Sequence, residues 1–255
     1  MPQQAAERKA DVMASRHLSF EEASKYLHIE PGVLTRMVKQ RDVPFTLHGE
    51  RICFDAEELD SWASQRILKM SQRPLSVYHR GISHDAQSRD GHFSLIGSLF
   101  APDRMVIGMR SRTKAAVIRD LVAVAEAAGL LYAPADLVRS LAEREAACST
   151  GLAGGVALVH PRHHDPYLAP DSFALLARTE TPIPFGAPDG ENTDVFFLLC
   201  CLDDRLHLHV LARLCTMLGT TDLLARIRAA EDADALLAAI SDSETHVLAQ
   251  LRQNQ

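Results

Sequence analysis

Ser149-Thr150-Gly151-Leu152-Ala153-Gly154-Gly155-Val156-Ala157-Leu158-Val159-His160-Pro161-Arg162 is the stretch that decides how this 255-residue chain is read. Glycine adopts positive φ and lets backbone N–H groups approach a ligand. The apolar run 156–159 is too short for a helix and is bounded by Gly and Pro, so it reads as a buried strand. A strand end that presents an imidazole beside a Gly-rich loop suits covalent chemistry at a ring nitrogen, with backbone donors for an anion. The same residues also fit a plain histidine at a strand terminus next to a turn, and the motif alone leaves both readings open.

Wider agreement separates them. The stretch resembles the active-site segment of type 2 IIA components of the bacterial sugar phosphotransferase system, the fructose, mannitol and nitrogen-related class. Their pattern is S-T-G-(I/L)-x-x-G-(I/V)-A-(I/L)-P-H-(G/A)-(K/R), and Ser149, Thr150, Gly151, Gly155, Ala157, His160 and Arg162 fall in register. Arg144-Glu145 before it, Glu180-Thr181-Pro182-Ile183-Pro184-Phe185 after it, the run 194–199 and His207-Leu208-His209-Val210-Leu211 extend the likeness over residues 93–237.

The resemblance implies His160 as phosphoacceptor and Arg144 as a charge-assisted donor to the phosphoryl oxygens. His209 would be the second imidazole, with His207 in its place if the register slips. Ser149, Thr150 and Arg162 would bind phosphate. The implied phosphoryl donor is the phosphocarrier HPr or its nitrogen-related paralogue. Two residues depart from the pattern: Val159 stands where the family has proline, and Pro161 stands where it has a small residue. Pro161 has no N–H to offer and biases His160 toward extended backbone.

Around the motif, strands and helices alternate. Residues 105–109, 173–177 and 195–202 read as strands; 115–129, 134–147, 206–218, 222–229 and 232–240 read as helices. Hairpin-like returns among them indicate an α/β domain with a mixed sheet, over residues 93–240.

The front of the chain has another plan. Ser19 and Glu22 have capping-box spacing, so a helix starts there with Ala23, Tyr26 and Leu27 on its apolar side. Glu30-Pro31-Gly32 is a turn, residues 33–40 a second helix with Leu34 and Val38 inward, residues 43–54 a hairpin, and Asp55 with Glu58 opens a third helix. This is a winged helix-turn-helix plan over residues 17–66. It resembles the excisionase-like and MerR-like DNA-binding domains through Leu18-Ser19, Glu22-Ala23, Leu27, Ile29, Glu57-Glu58-Leu59 and Trp62. That likeness puts the second helix in a major groove, with Thr35, Arg36, Lys39, Gln40, Arg41 and Arg51 as DNA-contacting residues and a homodimer to present two reading heads. A protein-docking use of the same fold is the alternative. Residues 1–16 read as a fraying or short helical lead-in. Residues 67–92 read as a linker with Gln72-Arg73-Pro74 breaking a helix, residues 76–82 as an edge strand, and residues 81–91 as turn-rich.

Composition limits what remains. The chain carries 27 Lys+Arg against 33 Asp+Glu, a net −6. Residues 1–82 hold 12 against 11, and the remainder 15 against 22, so a mildly basic front precedes an acidic back, which points to different partners for the two. No apolar run is long enough for a membrane span, and the start lacks a signal-peptide core. Five cysteines without C-x-x-C spacing, two of them adjacent at 200 and 201, read as reduced thiols of a cytoplasmic protein. His163 and His164 are adjacent, so on a strand they face opposite ways and do not chelate one metal; no metal or cofactor is expected.

Together these features indicate a phosphorylation-responsive regulator: a IIA-like phosphohistidine acceptor fused to a helix-turn-helix head, with DNA or a regulated protein as its target. The alternatives are a IIA-like docking protein silenced by Val159 and Pro161, and a sugar-import relay whose head only dimerises.

Overall fold

The capping box forms as its spacing requires. Ser19 Oγ accepts from the Glu22 N–H while Glu22 Oε2 accepts from the Ser19 N–H at 2.8 Å. In the computed structural model, which describes residues 17–89, 95–162 and 167–253, the chain divides into two compact units, residues 1–66 and 67–255. The lead-in 1–16 lies outside the described residues.

The first unit runs β1 (His17–Ser19), α1 (Phe20–Tyr26), α2 (Pro31–Gln40), β2 (Thr46–His48), β3 (Arg51–Asp55) and α3 (Ala56–Lys69), whose last turn passes the unit boundary. Pro31 sits in the first turn of α2, where its missing N–H costs nothing. Asp55 Oδ1 caps α3 by accepting from the N–H groups of Glu57 and Glu58. The β2–β3 hairpin turns at Gly49-Glu50, and β1 pairs antiparallel with β3 on its other side. Leu18, Ala23, Leu27, Leu34, Met37, Phe54 and Leu59 form the core. Met37 takes the inward position next to Leu34, and Val38 is only half-buried.

The second unit begins with α4 (Gln72–Arg89), which replaces the expected linker and edge strand. After two short 3-10 turns come β4 (Met105–Met109), α5 (Lys114–Ala127), α6 (Pro134–Ala147), β5 (Gly151–Leu152), β6 (Val156–Val159), β7 (Phe173–Ile183), β8 (Thr193–Cys200), α7 (Asp204–Thr220), α8 (Leu223–Ala229) and α9 (Ala233–Gln253). The five strands form one mixed sheet in the order β4-β7-β8-β6-β5. β4 is parallel to β7 and β6 to β8, whereas β7–β8 and β5–β6 are antiparallel. All four residues of β6 are buried, which explains why that strand shows an apolar run and no alternation. Ala157, Val159, Phe173, Leu175, Phe196 and Leu198 pack with Val117, Leu121, Leu137 and Leu141 of α5 and α6.

α4 is held to the rest of its unit by buried polar groups. Arg213 of α7 donates from Nε to His79 Nε2, from Nη2 to Ser83 Oγ at 3.1 Å and from Nη1 to Glu244 Oε1 of α9 at 2.7 Å. Glu244 also accepts from the N–H groups of Ile96 and Gly97, both at 2.8 Å. Burial first, then the positive charge of Arg213 and the neighbouring His209, push the His79 pKa from 6.5 down to about 2. His79 is therefore neutral in the fold at every moderate pH, while an unfolded His79 takes up a proton below about pH 6.5. The unfolded state then binds the extra proton, so stability falls as pH drops through and below that value and is unaffected above it. His79→Gln is expected to remove a slope of up to about 1.4 kcal/mol per pH unit, read as the difference between wild-type and variant urea unfolding at pH 7 and pH 5.

Candidate functional site

His160 follows directly on β6, so alternation places its ring on the same side as Leu158. That ring is 2% exposed and held at both nitrogens. Nε2 accepts from Arg144 Nε at 3.0 Å, and Nδ1 lies 2.8 Å from the Leu158 carbonyl oxygen. A guanidinium only donates and a carbonyl only accepts. Both bonds therefore demand the same tautomer: a proton on Nδ1 and a lone pair on Nε2. The free lone pair of the ring is thus on Nε2, facing Arg144.

Arg144 comes from the last turn of α6. Its Nη1 also donates to the Cys148 carbonyl at 2.7 Å, closing the helix end and fixing the guanidinium plane. The next residue, Glu145, is buried and points into the following loop. Its Oε2 accepts from both the N–H (2.9 Å) and the hydroxyl (2.6 Å) of Thr150, and its Oε1 pairs with Lys114 Nζ at 2.8 Å. Lys114 also lies 4.8 Å over the ring of Phe185. Thr150 in turn accepts from the Leu158 N–H through its carbonyl, so the loop is registered against β6 two residues before His160.

The other expected site residues lie as follows. His207, not His209, meets His160: their ring centroids are 4.8 Å apart. His209 faces the other way, 6.4 Å from His79 on α4. Positions 207 and 209, two apart on a helix, are separated by about 200°, so only one of the pair can face β6. The Ser149 and Thr150 hydroxyls, expected at a phosphate, have protein acceptors: Ser149 Oγ donates to the Phe185 carbonyl at 2.9 Å and Thr150 to Glu145. Arg162 is exposed and its N–H donates to Ser140 Oγ at 3.1 Å.

The glycine turn lies away from the histidine and is packed by protein. Gly155 directly precedes β6 and His160 directly follows it, so the two stand at opposite ends of the strand, about 16 Å apart. Gly154 and Gly155 have φ of +86° and +82°, and the Gly154 N–H is taken by Asp189. A Cβ at Gly155 would sit 2.7 Å from Arg228 and 2.9 Å from the Asn192 carbonyl, so its space is filled by protein. His163, His164 and Asp165 lie outside the described residues.

The phosphoenolpyruvate-dependent sugar phosphotransferase system EIIA 2 family matches residues 98–243, more than half the chain. The chain belongs to this family. A helix-turn-helix domain matches residues 18–67. Among similar proteins, the nitrogen regulatory protein of Bradyrhizobium diazoefficiens is 30% identical over 57% of this chain and 94% of its own length. That of Escherichia coli is 28% identical over 49% and 77%. The crystal structure of nitrogen regulatory protein IIA-Ntr from Neisseria meningitidis superposes with a TM-score of 0.51 at 26% identity, covering 57% of this chain and 98% of that one. Residues 98–243 are thus a type 2 EIIA domain similar to nitrogen regulatory proteins, and a helix-turn-helix match precedes it. Among the described residues, no helix is long and apolar enough to cross a membrane.

Sequence reasoning missed Lys114 and the use made of Glu145. The Arg-Glu pair was visible, but nothing in the sequence says that the second member turns away from the histidine to anchor Thr150.

Proposed function

We propose that His160 Nε2 accepts a phosphoryl group from HPr or its nitrogen-related paralogue, and that the head couples this state to DNA. The observation that carries the first half is the pair of bonds on the His160 ring. Leu158 holds the proton on Nδ1, which leaves Nε2 as a nucleophile without any deprotonation step. As the new N–P bond forms, the bond from phosphorus to the donor's imidazole breaks and its electron pair returns to that ring. Arg144 Nε–H, released from the lone pair it now caps, is placed to donate to a phosphoryl oxygen while Nη1 stays on Cys148. His207 lies against the ring that carries the developing charge. Positioning and charge stabilisation are what this transfer chiefly needs.

Incubation with enzyme I, HPr and phosphoenolpyruvate should add an acid-labile mass of ~80 Da, one phosphoryl group, to the wild type and none to His160→Ala. No gain in the wild type, with partners active on a control protein, would leave the docking reading, in which Val159 and Pro161 mark a silent site.

For the second half, Thr35, Arg36, Lys39, Gln40, Arg41 and Arg51 are all exposed, on α2, at its end and on the adjoining hairpin. Thr35 Oγ1 also donates back to the Pro31 carbonyl at 2.8 Å. Phosphate contacts from Arg36, Lys39, Arg41 and Arg51 would make DNA binding salt-dependent. Lys39→Ala and Arg51→Ala should each lower the slope of log K against log salt by about one. A salt-independent or absent interaction would leave the head as a dimerising or docking element, as in the import-relay reading. A dimer in the cytoplasm suits the DNA-coupled role, since two heads read two half-sites.

A further inference from the structure

α7 is gripped from two sides by residues that alternate around it. His207 faces His160. His209 and Arg213, four residues apart and so on one face, point to α4. Residues 207–217 are all buried, so the rotation of α7 about its axis is set by packing on every side. On the α4 side that packing is polar and directional: the Arg213 guanidinium is 1% exposed and bonded to His79, Ser83 and Glu244. At the other end of α4, the Gln72 side chain fills the space that a Cβ at Gly219 of α7 would need. A helix fixed by a three-way guanidinium fork cannot turn without breaking buried hydrogen bonds.

α4 ends at Arg89, whereas the EIIA family match begins at residue 98. We propose that α4 is nonetheless a working part of the phosphoacceptor site, and that His79 is a positioning residue: through Arg213 it sets the rotation of α7 and thereby holds the His207 ring against His160. This rests on the phosphoacceptor reading. It assigns to residues 72–89 a role in the chemistry in addition to covering the domain.

The test uses the full chain. In His79→Ala, Arg213 Nε loses its acceptor, whereas the amide oxygen in His79→Gln can still accept from it. Long-range 1H–15N spectra of the imidazoles report on the unphosphorylated site, and the initial rate of transfer from phosphorylated HPr reports on function. We expect His79→Ala to move the His160 and His207 ring signals and to slow transfer by about 10- to 100-fold, the usual cost of a small misplacement. His79→Gln should bring both back toward wild type. Folded His79→Ala with wild-type ring signals, or with a wild-type rate, would overturn the proposal. If His79→Ala does not fold, Ser83→Ala removes one bond to Arg213 Nη2 and is read by the same spectra. Unmoved ring signals there would overturn the proposal equally. A wild type that takes up no phosphoryl group would sink the phosphoacceptor reading, and the spectra alone would then decide the role of His79.

Discussion

Replacing Arg144 with alanine is expected to slow phosphoryl transfer to His160 by about 10²- to 10³-fold, the usual loss when one preorganised donor to a developing anion is removed. Arg144 combines two tasks in one rigid plane, with Nε on His160 Nε2 and Nη1 on the Cys148 carbonyl. Lysine carries the charge but has no fork to reach both partners, so Arg144→Lys should recover little of the rate. Stability should fall by about 1–3 kcal/mol, for two hydrogen bonds lost from a buried side chain. Rapid-quench transfer from phosphorylated HPr and urea unfolding separate the two effects. A rate within threefold of wild type, roughly 0.6 kcal/mol of barrier, would remove Arg144 from the chemistry.

The largest expected effect on stability is at Glu244. This carboxylate is 2% exposed and accepts from Arg213, Ile96 and Gly97. Glu244→Ala leaves a buried guanidinium without its counter-charge and two N–H groups without acceptors. The expected cost is about 3–5 kcal/mol, a large share of the roughly 5–15 kcal/mol that holds a typical domain together. Much of that penalty belongs to the stranded charge, so adding Arg213→Met should restore part of it. A double variant that is less stable than Glu244→Ala by the full effect of Arg213→Met would show that the two groups are not coupled. Chemical denaturation of all four proteins gives the answer.

What the sequence made legible was local and periodic. The run 156–159 announced a doubly buried strand, Ser19 and Glu22 announced a helix start, and the hairpin at Gly49-Glu50 needed only its turn residues. α4 was misread because Pro74, Gly81 and the polar stretch after it looked like linker. Yet Leu75, Tyr78, His79 and Ile82 recur at the spacing of one helix face and are all buried. Pro74 is harmless there because it falls in the first turn, where no N–H is needed. The choice between His207 and His209 could not be read at all. Both lie in the same pattern match, and which one faces β6 depends on the rotation of α7. Around α7 the polar partners of Arg213 come from distant chain, His79 134 residues before it and Glu244 31 residues after it. The glycines failed for a related reason. Their freedom in φ was correctly inferred, but Gly155 uses it to admit Arg228 and Asn192, at the far end of the strand from the histidine.

The claim on which the rest depends is that His160 presents Nε2 as the nucleophile, with its Nδ1 proton held by Leu158. The direct measurement is a long-range 1H–15N spectrum of the protein before and after phosphoryl transfer from HPr. We expect the resting ring as the Nδ1–H tautomer and, after transfer, phosphorus coupled to Nε2 of His160. A phosphoryl group on Nδ1, or on another histidine, would contradict the site as described.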